Sequence, residues 1–309
     1  MIDLKRITKG PLKHPPRVLI YGPGAIGKST WAAGADDPFF IDANNGSHKL
    51  DVKRIVPTNW EECRELMTLV ETGGIKCGTL VHDSVTDMES MSHSYLFGAE
   101  SIDTWGKGYG RGDTHAIQTW REVLAQLERI WMKGTGIVFI AHSLVKRFDD
   151  PTTANGYDRF EVSARKQLAQ LLHQWVDYTL FCREDVTPIS KDAKNKAVTT
   201  GLRWAYTRRC PAFDAKARGT TLFPERFPLS WAEFMKAINE DSSRVSMLSD
   251  EINRMLKEIA DPALEKEVRT YIKDYPSGLS EARNRLAAIL EERSSSSQQQ
   301  STVEEKKAS

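Results

Sequence analysis

The residues with the clearest chemistry run Gly22-Pro23-Gly24-Ala25-Ile26-Gly27-Lys28-Ser29, with Thr30 next. This is the pattern GxxxxGK[ST]. Its glycines let a loop wrap so that backbone N–H groups face phosphate oxygens, while the helix that follows presents its positive end. Lys28 can then reach the outer phosphates of a nucleoside triphosphate, and the Ser29 hydroxyl can ligate Mg2+. Gly22 to Thr30 form the candidate nucleotide-binding segment, with ATP and Mg2+ as the expected ligands.

Such a loop needs an acidic residue at the end of a neighbouring strand. Thr79-Leu80-Val81-His82-Asp83-Ser84 supplies Asp83 at the carboxyl end of an apolar run, where ligands of parallel sheets bind. Asp83 reads as a metal ligand beside Ser29, or as a cap for the helix suggested by SVTDMES, and the two roles are compatible. His142 closes GIVFIAHS, a position from which a side chain meets a terminal phosphate. A buried histidine satisfied by backbone groups is the alternative.

The elements that must position these residues follow from hydrophobic patterning. RVLIYG (17–22), FFIDA (39–43), GTLVHDS (78–84), GIVFIAHS (136–143) and VDYTLFCRE (176–184) read as buried strands. Helical patterns lie between them at 60–73, 115–134 and 166–175. In the second, Ile117, Trp120, Val123, Leu124, Leu127, Ile130 and Trp131 recur at spacings of three and four, making one apolar face. Strands alternating with helices predict an α/β core (17–240) with a mainly parallel central sheet flanked by helices. Residues 1–16 read as a basic arm, 241–293 as a small helical appendage joined near Asp241-Ser242-Ser243, and 294–309 as a disordered tail.

Composition excludes several classes. The 309 residues are 40% hydrophobic and 28% charged, which fits a soluble globular chain and not a collagen-like, wholly disordered or disulfide-scaffold one. No stretch approaches the ~20 apolar residues of a membrane span, and the polar N-terminus lacks the apolar core of a signal peptide. Cys63, Cys77, Cys182 and Cys210 are scattered without metal-ligand spacing. A reduced, cytoplasmic protein is expected. Lys and Arg (43) nearly cancel Asp and Glu (42), so no global field announces a polyanionic partner. The positive residues are instead local: Lys5, Arg6, Lys9, Lys13 and Arg17 in the arm, Lys107, Arg111, Lys146 and Arg147 in two loops, and the stretch Arg203 to Arg218.

The phosphate loop, then FFIDANNGSHKLDV, TLVHDSVTDME and IVFIAHSLVKRF, come in an order that resembles RecA-like P-loop ATPases. The chain looks like a phage-encoded branch of that superfamily, similar to its single-strand annealing recombinases. The resemblance spans roughly residues 17–235. It implies a γ-phosphate sensor at His142 and two DNA-facing loops, 143–165 (with Lys146 and Arg147) and 98–113. In the second, Trp105, Lys107, Tyr109 and Arg111 suit base stacking and phosphate contact; an ordinary surface loop is the plain alternative. Lys216 and Arg218, in YTRRCPAFDAKAR, resemble the paired cations that reach a neighbouring subunit's γ-phosphate. A solvated turn is the alternative there.

The resemblance further implies a homo-oligomer, ring or filament, with ATP between subunits, single-stranded DNA as partner, and host cytoplasm as location if the chain is phage-encoded. The appendage and tail are open to recruiting a single-strand DNA-binding protein or to capping the sheet. One departure stands out. The family places a glutamate after the FIDA-type strand to activate the attacking water, and here Asn44 and Asn45 occupy that stretch. An amide orients water but takes no proton, so slow hydrolysis is expected, with Asp42 able to substitute only if the backbone shifts. The expected function is ATP-dependent strand annealing or exchange in recombination. The rival is a P-loop ATPase that loads or remodels a replication protein such as a helicase, and a metabolic kinase ranks last because no lid or second-substrate pocket is legible.

Overall fold

The computed structural model describes residues 14–150, 155–188, 197–219, 223–275 and 278–292. Most of the arm and the whole tail lie outside the described residues.

The core strands are β1 (Arg17–Gly22), β2 (Pro38–Asp42), β3 (Lys53–Ile55), β4 (Thr79–Asp83), β5 (Gly136–Phe148) and β7 (Tyr178–Pro188). All are joined in parallel, in the spatial order β7-β1-β5-β4-β2-β3. Antiparallel strands extend this sheet: β6 (Tyr157–Val162) on β5, β8 (Ala197–Tyr206) and β9 (Lys216–Ala217) on β7, and β10 (Arg226–Pro228) on β8. The expected mainly parallel sheet is present. Every residue of β1 is buried, which is why it reads as an unbroken apolar run and not as an alternation.

Helices α1 (Lys28–Ala33), α2 (Trp60–Thr72), α3 (Val85–Phe97), α4 (Arg111–Met132) and α5 (Lys166–Trp175) connect the strands. The stripe on α4 does what its spacing implies: Trp120, Val123, Leu127 and Ile130 are buried, and Trp120 packs on Trp60 of α2 with ring centroids 5.5 Å apart. Contacts divide the chain into two compact units. One holds residues up to Arg218 together with Glu225–Glu233, and the other holds the remainder.

The second unit has its own core of Ile252, Leu256, Ile259, Val268, Leu279, Ala282 and Leu286. These lie on α6 (Trp231–Ile259), α7 (Pro262–Asp274) and a helix over 279–292. Asp261 caps α7 by accepting from the N–H groups of Ala263 and Leu264. The serines at the expected junction do not break α6. The Ser242 and Ser243 hydroxyls return to the carbonyls of Ile238 and Asn239 one turn back, so the helix runs through them.

Three further expectations change. The end of the arm is docked: the Trp131 indole donates to the Pro15 carbonyl at 2.6 Å, and the His14 ring lies 4.4 Å from Trp131. Arg17 is no free basic residue, because it is buried between Trp131 and Trp175 and bonded to Asp177 and Glu128. Segment 143–165, expected as a loop, is largely strand where it is described: β5 runs on to Phe148 and pairs antiparallel with β6. Along that run the burial changes from fully buried to mixed, so the apolar signal stops at the sheet edge while the backbone pairing continues. Among the described residues, no helix is long and apolar enough to cross a membrane.

Candidate nucleotide-binding site

β1 delivers the chain to the phosphate loop at Gly22. A β-carbon there would stand 2.4 Å from the Cys182 carbonyl oxygen of β7, so glycine alone lets the two strands lie side by side at this point. Gly27 sits at φ 106°, a left-handed conformation that turns the chain into α1. Lys28 is 6% exposed, and its ammonium donates to the Gly22 and Pro23 carbonyls at 3.0 and 2.8 Å. Burial holds its pKa below the usual lysine value, with the Asp83 carboxylate pulling the other way. The ammonium thus lies folded against the loop it would serve.

Ser29 faces the end of β4. Its hydroxyl donates to Asp83 Oδ2 at 2.5 Å. Asp83 is buried, and burial pushes its carboxyl up to about 6, with the Ser29 hydrogen bond pulling the other way. Ser84 caps α3 by accepting from the Asp87 N–H, so the helix cap falls to Ser84 and leaves the Asp83 carboxylate to Ser29. A hydroxyl and a carboxylate in contact at a phosphate loop are the donor set of a Mg2+ site. Lys28, Ser29 and the loop N–H groups fit a nucleoside triphosphate, whose bound metal would supply charge neutralisation.

His142 lies beside Gly22 in the β1–β5 register. Burial and the Lys28 charge both lower its pKa, and among the described residues its ring makes no hydrogen bond. The structure therefore brings Lys28, Ser29, Asp83 and His142 to the carboxyl ends of three neighbouring strands.

The strand end carrying Asn44 and Asn45 behaves differently. Asp42 accepts from the Gly46 N–H at 3.0 Å, from the Ser47 N–H at 3.0 Å and from the Ser47 hydroxyl at 2.6 Å. Asn44 Oδ1 also accepts from the Gly46 N–H, at 2.8 Å. Both side chains are spent on their own turn, and Asp42 is not placed to act as a base.

The other candidate residues lie apart from this cluster. Lys216 donates to the His173 and Val176 carbonyls, and Arg218 to the Gln174 carbonyl, with Asp177 3.8 Å away. Both cations thus meet the carbonyls at the C-terminal end of α5. Pairing of Lys216 with Thr179, at the start of β7, puts them at the opposite end of the sheet from the phosphate loop. Trp105 sits in a 3-10 turn stacked on His115, with ring centroids 5.1 Å apart and planes 7° apart, so its ring is partly used in packing. Tyr109 is 97% exposed, Lys107 is exposed, and Arg111 opens α4 while donating to the Gly106 carbonyl at 3.0 Å. Lys146 and Arg147 are exposed on the hairpin, Lys146 with Glu161 3.9 Å away.

Two residues were not legible beforehand. Arg165 accounts for the link between the two candidate DNA segments. Its side chain bonds Asp113 at 2.8 Å and Asp103 at 2.7 Å, while its backbone N–H donates to buried Glu89 of α3. Arg203 of β8 approaches the phosphate loop, its guanidinium 3.3 Å from where a β-carbon on Gly27 would stand. It appeared in the sequence only as part of a basic stretch, because nothing in the pattern places β8 beside β7.

A family model described as an AAA domain matches residues 14–219, more than half of the chain. The chain belongs to the AAA-domain family. An AAA domain implies nucleotide binding, and the phosphate loop and Asp83 lie within the matched residues. No curated protein sequence matches this AAA-domain chain. Among solved structures, the crystal structure of the RadB recombinase aligns with a TM-score of 0.37 and 17% identity, covering 62% of this chain and 81% of that one.

Proposed function

We propose that this protein is an ATP- and Mg2+-dependent, oligomeric RecA-like ATPase that binds single-stranded DNA and promotes strand annealing or exchange. The observation that carries the reading is continuity of the chain. The strand that ends at Asp83 leads through α3 into the loop bearing Trp105, Lys107 and Tyr109, and the strand that passes His142 runs straight into the hairpin bearing Lys146 and Arg147. A nucleotide held at Asp83 and His142 therefore acts on the roots of both basic segments, and Arg165 ties them to each other. Lys107 and Tyr109 also hold positive φ angles of 71° and 57°. Non-glycine residues rarely adopt that conformation, and such strain collects at functional loops.

In this reading Lys28 and Ser29 bind the phosphates and metal, Asp83 completes the metal site, and His142 senses the γ-phosphate. Lys216 and Arg218 leave the α5 carbonyls to reach a neighbouring subunit's nucleotide. With Asn44 and Asn45 in place of a base, ATP serves chiefly as an assembly ligand. The test is electron microscopy of the full chain with single-stranded DNA and a non-hydrolysable ATP analogue. Rings or filaments that need both ligands support the reading. Unchanged monomers contradict it, and nucleotide-dependent capture of a helicase without DNA would favour the loader reading instead.

A further inference from the structure

A cleft of about 340 Å3 opens beside the phosphate loop, on the side of α1 away from Asp83. Its floor follows Gly27, Thr30 and Gly34, positions three and four apart that share one helical face. Its walls are Leu229, Trp231 and Arg203. Gly34 is what admits the wall: a β-carbon there would stand 3.0 Å from Trp231 Cβ. Trp231 is fixed in turn by Trp31, the ring centroids lying 4.7 Å apart. Arg203 leans in from β8, half-exposed, with Glu184 3.4 Å from its Nε.

Resting on the ATP reading above, we infer that this cleft is the nucleoside subsite, and that Arg203 is the residue that holds the base in it. The direction follows from the phosphate loop. Ser29 and Asp83 fix the metal-bearing, outer end of a triphosphate on one side of α1. A chain of phosphates crossing the start of α1 from there leaves over Gly27 and Thr30, and the nucleoside it carries enters this cleft. The chemistry of the lining suits an aromatic heterocycle. Leu229 and the Trp231 ring offer apolar surface, and a guanidinium stacks on π faces. Arg203 thus holds the base by its face, while the phosphates are held by Lys28 and the loop.

Calorimetric titration of the full chain with Mg2+-ATP and with Mg2+-tripolyphosphate separates the two halves of this account. The wild type binds ATP at least tenfold more tightly than tripolyphosphate. Arg203→Ala, an exposed position on β8, lowers ATP affinity about five- to twentyfold and leaves tripolyphosphate within twofold. Leu229→Ala, with circular dichroism confirming its fold, lowers ATP affinity in the same selective way. Equal wild-type affinity for the two ligands, or equal losses for both ligands in Arg203→Ala, overturns the subsite while the phosphate site stands. Failure of the wild type to bind either ligand overturns the ATP reading itself.

Discussion

The Ser29 hydroxyl and the Asp83 carboxylate meet at 2.5 Å across the gap between α1 and the end of β4. Fifty-odd residues of chain separate them, and the parallel sheet brings them together by setting β5 between β1 and β4. With nucleotide bound, Ser29 and Asp83 would be the residues that hold a Mg2+ ion, which would supply charge neutralisation. Asp83→Asn and Ser29→Ala should each lower Mg2+-ATP affinity about ten- to hundredfold, the scale of a charge-assisted bond. Titrations with Mg2+ and with EDTA check this: the variants should lose the Mg2+-dependent part of binding and keep the rest.

His82, next to Asp83, is fully buried on the opposite face of β4, stacked on Phe139 with centroids 5.0 Å apart, and among the described residues neither ring nitrogen has a partner. Burial holds its pKa down to about 3, against an ordinary 6.5. Between those values the unfolded chain binds the extra proton, so His82 makes stability fall as pH falls below about 6.5. Asp83, held up near 6, works in the other sense: there the folded chain binds the extra proton, and stability falls as pH rises from about 4 to 6. His82→Leu should shift the stability difference between pH 7 and pH 5 by about 2 kcal/mol in favour of pH 5. Urea titrations in Mg2+-free, nucleotide-free buffer measure it, and an unchanged gap contradicts the assignment.

Lys216 and Arg218 cap α5 in the single chain but are proposed to act on a neighbour. The two roles separate experimentally. Lys216→Ala with Arg218→Ala should lower stability by about 1–2 kcal/mol through the lost helix-end bonds. It should also lower turnover at least a hundredfold while leaving ATP affinity within threefold. Mixing this variant with Lys28→Ala chains should restore part of the turnover, because each supplies what the other lacks. Stability loss alone, with normal turnover, would reduce the pair to a cap.

Hydrolysis should be slow because Asp42 and Asn44 are committed to the turn at Gly46 and Ser47. Asn44→Glu should raise turnover tenfold or more, general-base help being worth about 10²–10⁴-fold. Asp42→Asn should destabilise the chain without a comparable drop in turnover per folded molecule. Single-turnover phosphate release reports both.

Five of the six parallel strands were legible because their apolar runs are buried on both faces, whereas β3 reads Lys-Arg-Ile at an exposed edge and left no such trace. β8, β9 and β10 were not legible either, since they carry mixed residues such as Arg203, Lys216 and Arg226 on a sheet extension open to solvent. The hairpin beyond His142 escaped for the same reason: Val145, Lys146 and Arg147 are exposed, and backbone pairing alone leaves no hydrophobic trace. At the site, the phosphate loop and Asp83 are local patterns and could be read directly. Arg203 and Arg165 act across the fold from distant positions, and only the three-dimensional pairing reveals them. Arg17 shows the converse, a residue counted among the basic arm that the fold consumes in an ion-pair and indole cage.

The central claim, that nucleotide at Asp83 and His142 commands DNA binding by the two basic segments, has a direct measurement. It is the fluorescence anisotropy of an unstructured labelled oligonucleotide at low salt, with and without Mg2+-ATP. The account predicts binding only with ATP, abolished by Lys28→Ala, with a negative log–log salt slope that becomes shallower in Lys107→Ala and Arg147→Ala. Oligonucleotide binding that ignores ATP, or no binding at all at low salt, would contradict it.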